Sequence, residues 1–151
     1  MDRTHLVQVC RVVFVSKRRI HLFSDDYLRR YYADTGKFWT PPVSLFRREL
    51  KRDMDEDLRD PSLATWMLQG VVFLPVYPDR AECVKVIKNC TDKVIVALGF
   101  DAAEVVNRHA PKSATVIVTP HPMREPFVGC GVFSKINQYI SGDPIKWGDR
   151  K

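Results

Sequence analysis

A histidine enclosed by two prolines follows an apolar run late in the sequence. The run at 115–119 leads through Pro120 to His121 and Pro122, and a helix-like segment follows at Val128–Ile140. Histidine changes its charge near neutral pH and is a frequent proton donor and acceptor in enzymes. The first question is therefore whether His121 belongs to a working active site or is the remnant of one.

A second polar segment follows an apolar run near the start of the chain. It contains Lys17, Arg18, Arg19 and His21. Basic and aromatic residues interleave in the flanking segments, at Tyr27, Arg29, Arg30, Tyr31, Tyr32, Phe38, Trp39, Arg47, Arg48, Lys51, Arg52 and Arg124. Cations with aromatics suit phosphate contacts and base stacking. For Arg47–Arg52 the alternative is an outer helix face whose cations pair with Glu49, Asp53 and Asp55.

Composition limits the class of protein. The chain has 151 residues, of which 45% are hydrophobic, and its net charge of +6 favours a polyanionic partner such as nucleic acid. The four cysteines form no C-x-x-C pair, so we expect buried thiols in a reducing compartment and no metal or other cofactor. With no signal layout and no membrane-length apolar run, we predict one intracellular domain over 1–151, in the nucleus or cytoplasm.

The apolar runs predict the strands of a parallel sheet. They lie at Val9–Val15, Val71–Leu74, Val94–Leu98 and Thr115–Thr119, are rich in valine and isoleucine, and lack strict alternation. Helical patterns lie between or after them, at Ser44–Met54 with Ser44 as cap, Pro61–Gln69, Asp79–Asn89, Asp101–His109 with Asp101 as cap, and Val128–Ile140. This order predicts an α/β fold, a three-layer sandwich with a four-stranded parallel central sheet.

In such folds ligands bind at the carboxyl ends of the strands. Those ends are predicted at Ser16–His21, Pro75–Asp79, Gly99–Asp101 and His121–Phe127. The four segments should converge on one edge of the sheet. Function is therefore to be sought there.

The C-terminal motifs resemble those of family 1 uracil-DNA glycosylases. The matching residues are His121, Pro122, Gly129, Cys130, Phe133, Ser134, Lys135, Asn137, Pro144, Ile145 and Trp147. The stretch T-P-P-V-S-L-F-R-R-E-L, with Pro41, Pro42 and Ser44, resembles the proline-rich loop and helix of that family, and W-M-L-Q-G-V-V-F-L-P resembles its second strand. The resemblance runs from about Val9 to Trp147 and implies a uracil-DNA glycosylase-like fold.

The same resemblance implies that the water-handling chemistry has been lost. Aligned with the family's first strand-end loop, Arg18 replaces the aspartate that activates water. Ile20 replaces the tyrosine that excludes thymine, and only His21 remains of that loop. A guanidinium can neither accept a proton nor stabilise a cationic sugar. His121 is retained at the position of the donor that stabilises negative charge on the uracil oxygen.

Three further positions are also altered. Pro75 replaces the asparagine that reads the edge of uracil, and Phe100 replaces the serine that contacts a phosphate. Met123 replaces the serine of the H-P-S motif. Phe127 is a candidate wedge into DNA or, alternatively, a core or rim aromatic. Tyr31, Tyr32 and Phe38 are candidates for the aromatic that stacks on the base.

Two function classes follow from the resemblance. The first is a pseudoenzyme in DNA replication or repair that binds DNA or a protein partner. Some large DNA viruses use a member of this superfamily as part of a polymerase processivity factor, which suggests that this protein is viral. The expected DNA contacts are Lys17, Arg18, Arg19, Pro41, Pro42, Ser44, Arg124 and Phe127. The second class is an active uracil-DNA glycosylase whose acid has moved to Asp25, Asp26 or Glu125. An unrelated small-ligand α/β domain is the third, remote alternative.

Overall fold

The sheet has the predicted architecture. The computed structural model describes residues 10–18, 25–122 and 127–149. In chain order the elements are β1 (Val12–Ser16), α1 (Asp25–Thr35), α2 (Pro41–Met54), α3 (Ala64–Leu68), β2 (Val71–Pro75), α4 (Arg80–Lys88), β3 (Val94–Leu98), α5 (Phe100–His109), β4 (Thr115–Thr119) and α6 (Val132–Tyr139). The strands are ordered β2-β1-β3-β4 and pair in parallel throughout. The predicted α/β fold with a four-stranded parallel sheet is confirmed.

The two central strands are buried on both faces. Every residue of β1 and β3 is buried, which explains why their apolar runs do not alternate with polar residues. Successive side chains nevertheless enter different cores, since Val12 and Phe14 pack on the face covered by α2, α3 and α6. Val13 and Val15 pack on the other face, against α4 and α5. The sheet is thus the middle layer of three.

Aromatic rings fill the core on the α2 side. Phe14 stacks on Phe73 with ring centroids 5.3 Å apart, and Trp66 meets Trp147 edge to face at 4.9 Å. The indole Nε1 of Trp66 donates to the carbonyl of Trp147 at 2.7 Å, so this polar group is satisfied inside the core. Each ring of this size stabilises the fold by roughly 1.5–3 kcal/mol through burial alone.

Side-chain amides hold the C-terminal segment against this core. Asn137 exchanges two hydrogen bonds with the backbone of Ile145, at 2.9 and 3.1 Å. Gln69 does the same with the backbone of Lys146, at 2.7 and 2.9 Å. Each amide therefore mimics a strand partner for an otherwise irregular segment. The segment delivers Trp147 into the core.

A buried carboxylate on α2 joins that helix to the turn before α6. Glu49 is 0% exposed, and its oxygens accept from the amides of Gly129 and Gly131 at 2.8 and 2.5 Å. The guanidinium of Arg52 donates to the same carboxylate at 2.6 and 2.9 Å. Every oxygen of this buried charge is therefore satisfied by charge-assisted hydrogen bonds.

A second carboxylate of α2 caps α6. Helix α6 begins after Gly131, which has no side chain with which to accept from the first amides. Asp53 takes this role, since it accepts from the amide of Ser134 at 2.9 Å and from the Ser134 hydroxyl at 2.7 Å. An acceptor at this place satisfies an amide that would otherwise lack a helical partner.

Two predicted helix caps are wrong. Helix α2 begins at Pro41, a turn before the predicted start, and Thr40 is its N-cap. Proline suits this turn because it has no N–H to leave unpaired and its φ is already helical. The Ser44 amide instead donates to the Thr40 carbonyl at 2.9 Å. Similarly, α5 begins at Phe100 after Gly99, and Asp101 lies within its first turn.

Other helix bounds also differ from the sequence predictions. Helix α6 begins at Val132 rather than Val128, because Gly129 and Gly131 adopt positive φ of 113° and 68° and form a turn. Helix α3 begins at Ala64 rather than Pro61, after Leu63 at φ 60°. Helix α1 was not predicted. Helix α4 spans the predicted segment except for Asp79 and Asn89, which are its caps, and Asp79 accepts from the Glu82 amide. Helix α5 ends at His109 as predicted.

The Glu49 contact predicts a pH-dependent stability. Burial acts to raise the pKa of Glu49, but the hydrogen bonds from Arg52, Gly129 and Gly131 outweigh it and hold the pKa below its ordinary value of 4.5. The carboxylate therefore stabilises the native state fully above pH 4.5, and this contribution is lost as the pH falls through the lowered native pKa.

We expect Glu49→Gln to lower the free energy of unfolding at pH 7 by about 2–4 kcal/mol, because the substitution removes a charged acceptor of amide and guanidinium donors. The deficit should shrink as the pH falls through the native pKa of Glu49. Urea unfolding at several pH values measures it. The control is Glu104→Gln, which removes an exposed partner of Arg108 and should cost less than about 1 kcal/mol. A deficit unchanged at low pH would contradict the assignment.

Candidate nucleic-acid interface at the carboxyl ends of the strands

All four strands end level with one another. Ser16 of β1 is in register with Pro75 of β2 and Leu98 of β3, and Leu98 is in register with Thr119 of β4. The segments that follow therefore share one edge, as predicted from the sequence. We call this edge the strand-end rim and define it by Lys17–Arg18, Pro75–Asp79, Gly99–Asp101 and His121.

Backbone hydrogen bonds extend the β1–β2 pairing into the rim. The amide of Val76 donates to the carbonyl of Ser16 at 2.8 Å, and the amide of Tyr77 donates to the carbonyl of Lys17 at 3.0 Å. The hydroxyl of Ser16 donates to the carbonyl of Arg18 at 2.7 Å and fixes the turn. The first two predicted cations are thus held at the rim by strand geometry.

The side chains of these cations contact neighbouring rim residues. The Lys17 Nζ lies 3.7 Å from the nearer carboxylate oxygen of Asp101, and both side chains are exposed. The Arg18 Cζ lies 5.7 Å from the centre of the Tyr77 ring. An exposed ion pair of this kind is worth only about 0–1 kcal/mol. Both cations can therefore exchange these contacts for a phosphate at little cost.

His121 is positioned by a close approach to Gly99. A Cβ at Gly99 would lie 3.0 Å from the Cβ of His121, and the amide of Gly99 donates to the carbonyl of Thr119 at 2.9 Å. Gly99 has φ 94° and ψ 173°, a region that essentially only glycine adopts. The half-buried His121 therefore sits directly beside the start of α5.

Two of the positions that the resemblance predicts to be substituted, Pro75 and Phe100, lie on this rim. Pro75 ends β2 and is half-buried, with no side-chain group that could hydrogen-bond a base. Phe100 is 82% exposed at the first position of α5. Among the described residues of the rim, the carboxylates are Asp79, which caps α4, and Asp101, which faces Lys17. The rim therefore presents hydrogen-bond donors for an anion, together with exposed aromatic surface.

The predicted DNA contact at Phe127 is corrected by the structure. Phe127 is 1% exposed and packs on Phe46 with ring centroids 5.6 Å apart, so the core alternative is right and the ring offers no surface to a ligand. Pro41, Pro42 and Ser44 lie in the first turn of α2 rather than in a loop.

The cations of α2 support the alternative of a paired helix face in part. Lys51 pairs with Asp55 at 2.9 Å, as that interpretation requires. Arg52 pairs with Glu49, but this carboxylate is buried rather than on an outer face. Arg47 lies over the Trp39 ring, 4.5 Å from its centre.

Several predicted site residues lie outside the described residues. These are Arg19, Ile20, His21, Met123 and Arg124, together with the candidate acid Glu125. The side chains of Asp25 and Asp26 are likewise outside the description. Of the candidate base-stacking aromatics, Tyr32 and Phe38 stack on each other with centroids 4.3 Å apart.

Cys90 and Cys130 are thiols with little nucleophilic character. Burial raises the pKa of Cys90 to about 12 and that of Cys130 to about 11. Over the described parts of the chain, no three histidine, cysteine or acidic side chains come together as metal ligands would. In the same parts, no helix combines the length and apolarity needed to cross a bilayer.

Two rim residues were missed as individual candidates from the sequence. Tyr77 and Asp101 lie inside predicted strand ends, but the sequence indicates no binding role for Tyr77 and only a helix cap for Asp101. Their contacts with Arg18 and Lys17 depend on which strands are neighbours. Only the order β2-β1-β3 puts both partners beside β1.

Comparison with known proteins identifies the fold. No protein-family model and no curated relative matches the sequence. The crystal structure of mimivirus uracil-DNA glycosylase matches with a TM-score of 0.68 and 18% identity, over 95% of this chain and 69% of that one. Two structures of mimivirus UNG variants in complex with UGI match at 17% identity. Their TM-scores are 0.67 and 0.70, over 93% and 98% of this chain and 69% and 73% of theirs. The chain thus has a uracil-DNA glycosylase-like fold.

The contact between Gly99 and His121 gives a testable consequence. We expect Gly99→Ala to lower the free energy of unfolding by about 2–3 kcal/mol and to shift the imidazole resonances of His121, because the new methyl group meets the His121 Cβ. Chemical denaturation and NMR measure the two effects.

The control is Gly36→Ala, where φ is 73° and a Cβ would meet nothing within 4 Å. It should cost about 1 kcal/mol and leave the His121 resonances unchanged. Equal costs and unshifted His121 resonances in both variants would show that the close approach does not position the histidine.

Proposed function

We propose that this protein is a catalytically degenerate uracil-DNA glycosylase-like module that binds DNA through the strand-end rim and acts in DNA replication or repair. The observation that carries the proposal is the placement of Arg18. It lies exposed at the end of β1, where the sequence resemblance puts the water-activating aspartate, and within the described part of the chain it contacts the ring of Tyr77.

The rim chemistry argues against base excision. Excision by this route needs a group that orients water and stabilises a cationic sugar, and a guanidinium repels positive charge. Pro75 cannot read a base edge, and Phe100 cannot accept or donate a hydrogen bond through its side chain. Each substitution removes a different function. An active enzyme would have to replace all three.

The rim chemistry favours DNA binding. Lys17 and Arg18 extend from one strand end, and their contacts with Asp101 and Tyr77 are weak and exposed. The chain has a net charge of +6, so phosphates are attracted before contact. Neutralised phosphates release counterions, which makes such binding depend on salt. This role implies an intracellular protein, in the nucleus or cytoplasm, and allows for a protein partner in replication or repair.

A second candidate function is an active glycosylase with a relocated acid. One observation favours it, because Asp101 places a carboxylate on the same rim, two positions after the glycine that contacts His121. Asp101 would have to leave Lys17 and orient water. His121 would stabilise charge on the departing base.

We expect the purified protein to release no uracil from single- or double-stranded DNA, because the described rim lacks an unpaired water-activating group. Alkaline cleavage of an end-labelled oligonucleotide measures release, with an active glycosylase as positive control. Uracil release that is abolished by His121→Ala or Asp101→Asn would overturn the degenerate assignment. It would favour the second candidate.

Binding of duplex DNA should weaken with salt, and Lys17→Ala with Arg18→Ala should lower both the affinity and the salt slope. We expect the slope of log K against log salt to fall by roughly 1 for each phosphate that the variant no longer neutralises. Fluorescence anisotropy at several salt concentrations measures both.

The charge-matched control removes two exposed lysines from the opposite edge of the sheet. Lys88 ends α4 before β3, and Lys112 precedes β4, so neither is on the rim. Lys88→Ala with Lys112→Ala should leave the slope near that of wild type. Equal reductions in the two double variants would mean that net charge, not the rim, binds DNA.

A further inference from the structure

Two exposed aromatic rings flank the cations of the strand-end rim. Phe100 is 82% exposed at the end of β3, and Tyr77 is 39% exposed beyond β2. Both strands are neighbours of β1, which carries Lys17 and Arg18. Exposed single aromatics are common on proteins, but here two of them bracket a pair of cations in one row.

Contacts between side chains fix the order of this row. Arg18 lies over Tyr77, and Lys17 lies beside Asp101, the residue next to Phe100. Neighbouring strands are about 4.8 Å apart, so the loops after β2 and β3 are separated by roughly 10 Å. The sequence along the rim is therefore aromatic, cation, cation, aromatic.

We infer that the strand-end rim binds single-stranded nucleic acid, with one base stacked on Tyr77, another on Phe100, and the phosphate between them bound by Lys17 and Arg18. The inference rests on the proposed function in that the same rim binds DNA. It adds the form of the nucleic acid and the residues that recognise it. Stacking on a ring face tolerates any base, so binding should depend little on sequence.

The arrangement suits a single strand better than a duplex or a protein. In a duplex the base faces are covered by their neighbours, so exposed rings at the rim would have nothing to stack on. A protein interface typically collects aromatics in a centre depleted of charge. Here the two rings are separated by Lys17 and Arg18, which places charge at the centre of the row.

The test compares oligonucleotides by fluorescence anisotropy. The probes are a mixed-sequence single strand, the same strand with internal abasic sites, and the corresponding duplex. We expect Tyr77→Ala and Phe100→Ala each to weaken binding of the single strand by about tenfold, with no effect on the salt slope. Duplex affinity should not change. Wild type should bind the abasic strand as weakly as the double aromatic variant does.

The matched control is Tyr139→Ala. Tyr139 is 58% exposed at the end of α6. The carbonyl of Ser141, two residues later, accepts a hydrogen bond from Arg11, which precedes β1. Tyr139 therefore lies near the amino ends of the strands, opposite the rim. Its removal should leave every affinity unchanged. Circular dichroism confirms folding of each variant, since both rim rings are exposed.

The outcomes separate this inference from the proposed function. In one outcome, duplex binding depends on Lys17 and Arg18, but single-strand binding does not depend on the aromatic rings or on the presence of bases. This outcome overturns the inference and leaves the rim as a DNA-binding site. Failure of the wild-type protein to bind either single-stranded or duplex DNA overturns both the inference and the proposed function. A fall in single-strand affinity in Tyr139→Ala equal to that in the ring variants also overturns the inference.

Discussion

The buried carboxylate of Glu49 is the group on which the rest of the structure depends. A charge removed from water must be fully hydrogen-bonded, and Glu49 achieves this only if α2, Arg52 and the turn at Gly129–Gly131 are all in place. That turn carries the chain from the β4 end of the rim into α6. Asp53 then satisfies the first amides of α6, so two carboxylates of one helix fix how the C-terminal part of the chain returns to the core.

The residues on which the sequence resemblance to uracil-DNA glycosylases rests largely build this frame. Gly129 donates to Glu49, Ser134 binds Asp53, and Asn137 holds the C-terminal segment. Phe133 and Trp147 are core rings in contact at 5.0 Å. These residues of the motif therefore have structural roles in this fold.

The central strands β1 and β3 could be predicted because burial on both faces leaves a plain apolar run. Strands β3 and β4 match their predictions residue for residue. Helix α4 could be predicted because Asp79 caps it through its own side chain. The start of α6 could not be predicted, since its capping side chain, Asp53, belongs to another helix. The contact of Arg18 with Tyr77 depends on strand order, which no local pattern encodes. Phe127 could not be assigned to core or surface by type alone.

The level ending of the four strands has a consequence for divergence. The rim residues project from four separate loops, while the hydrogen bonds of Gln69 and Asn137 hold the C-terminal segment away from the rim. A replacement of an exposed rim side chain therefore leaves in place the strands that carry the other loops. Such an architecture allows exposed rim residues to change one position at a time while the sheet and its core stay folded. It also makes the protein a suitable scaffold for engineering a new binding site in the rim loops.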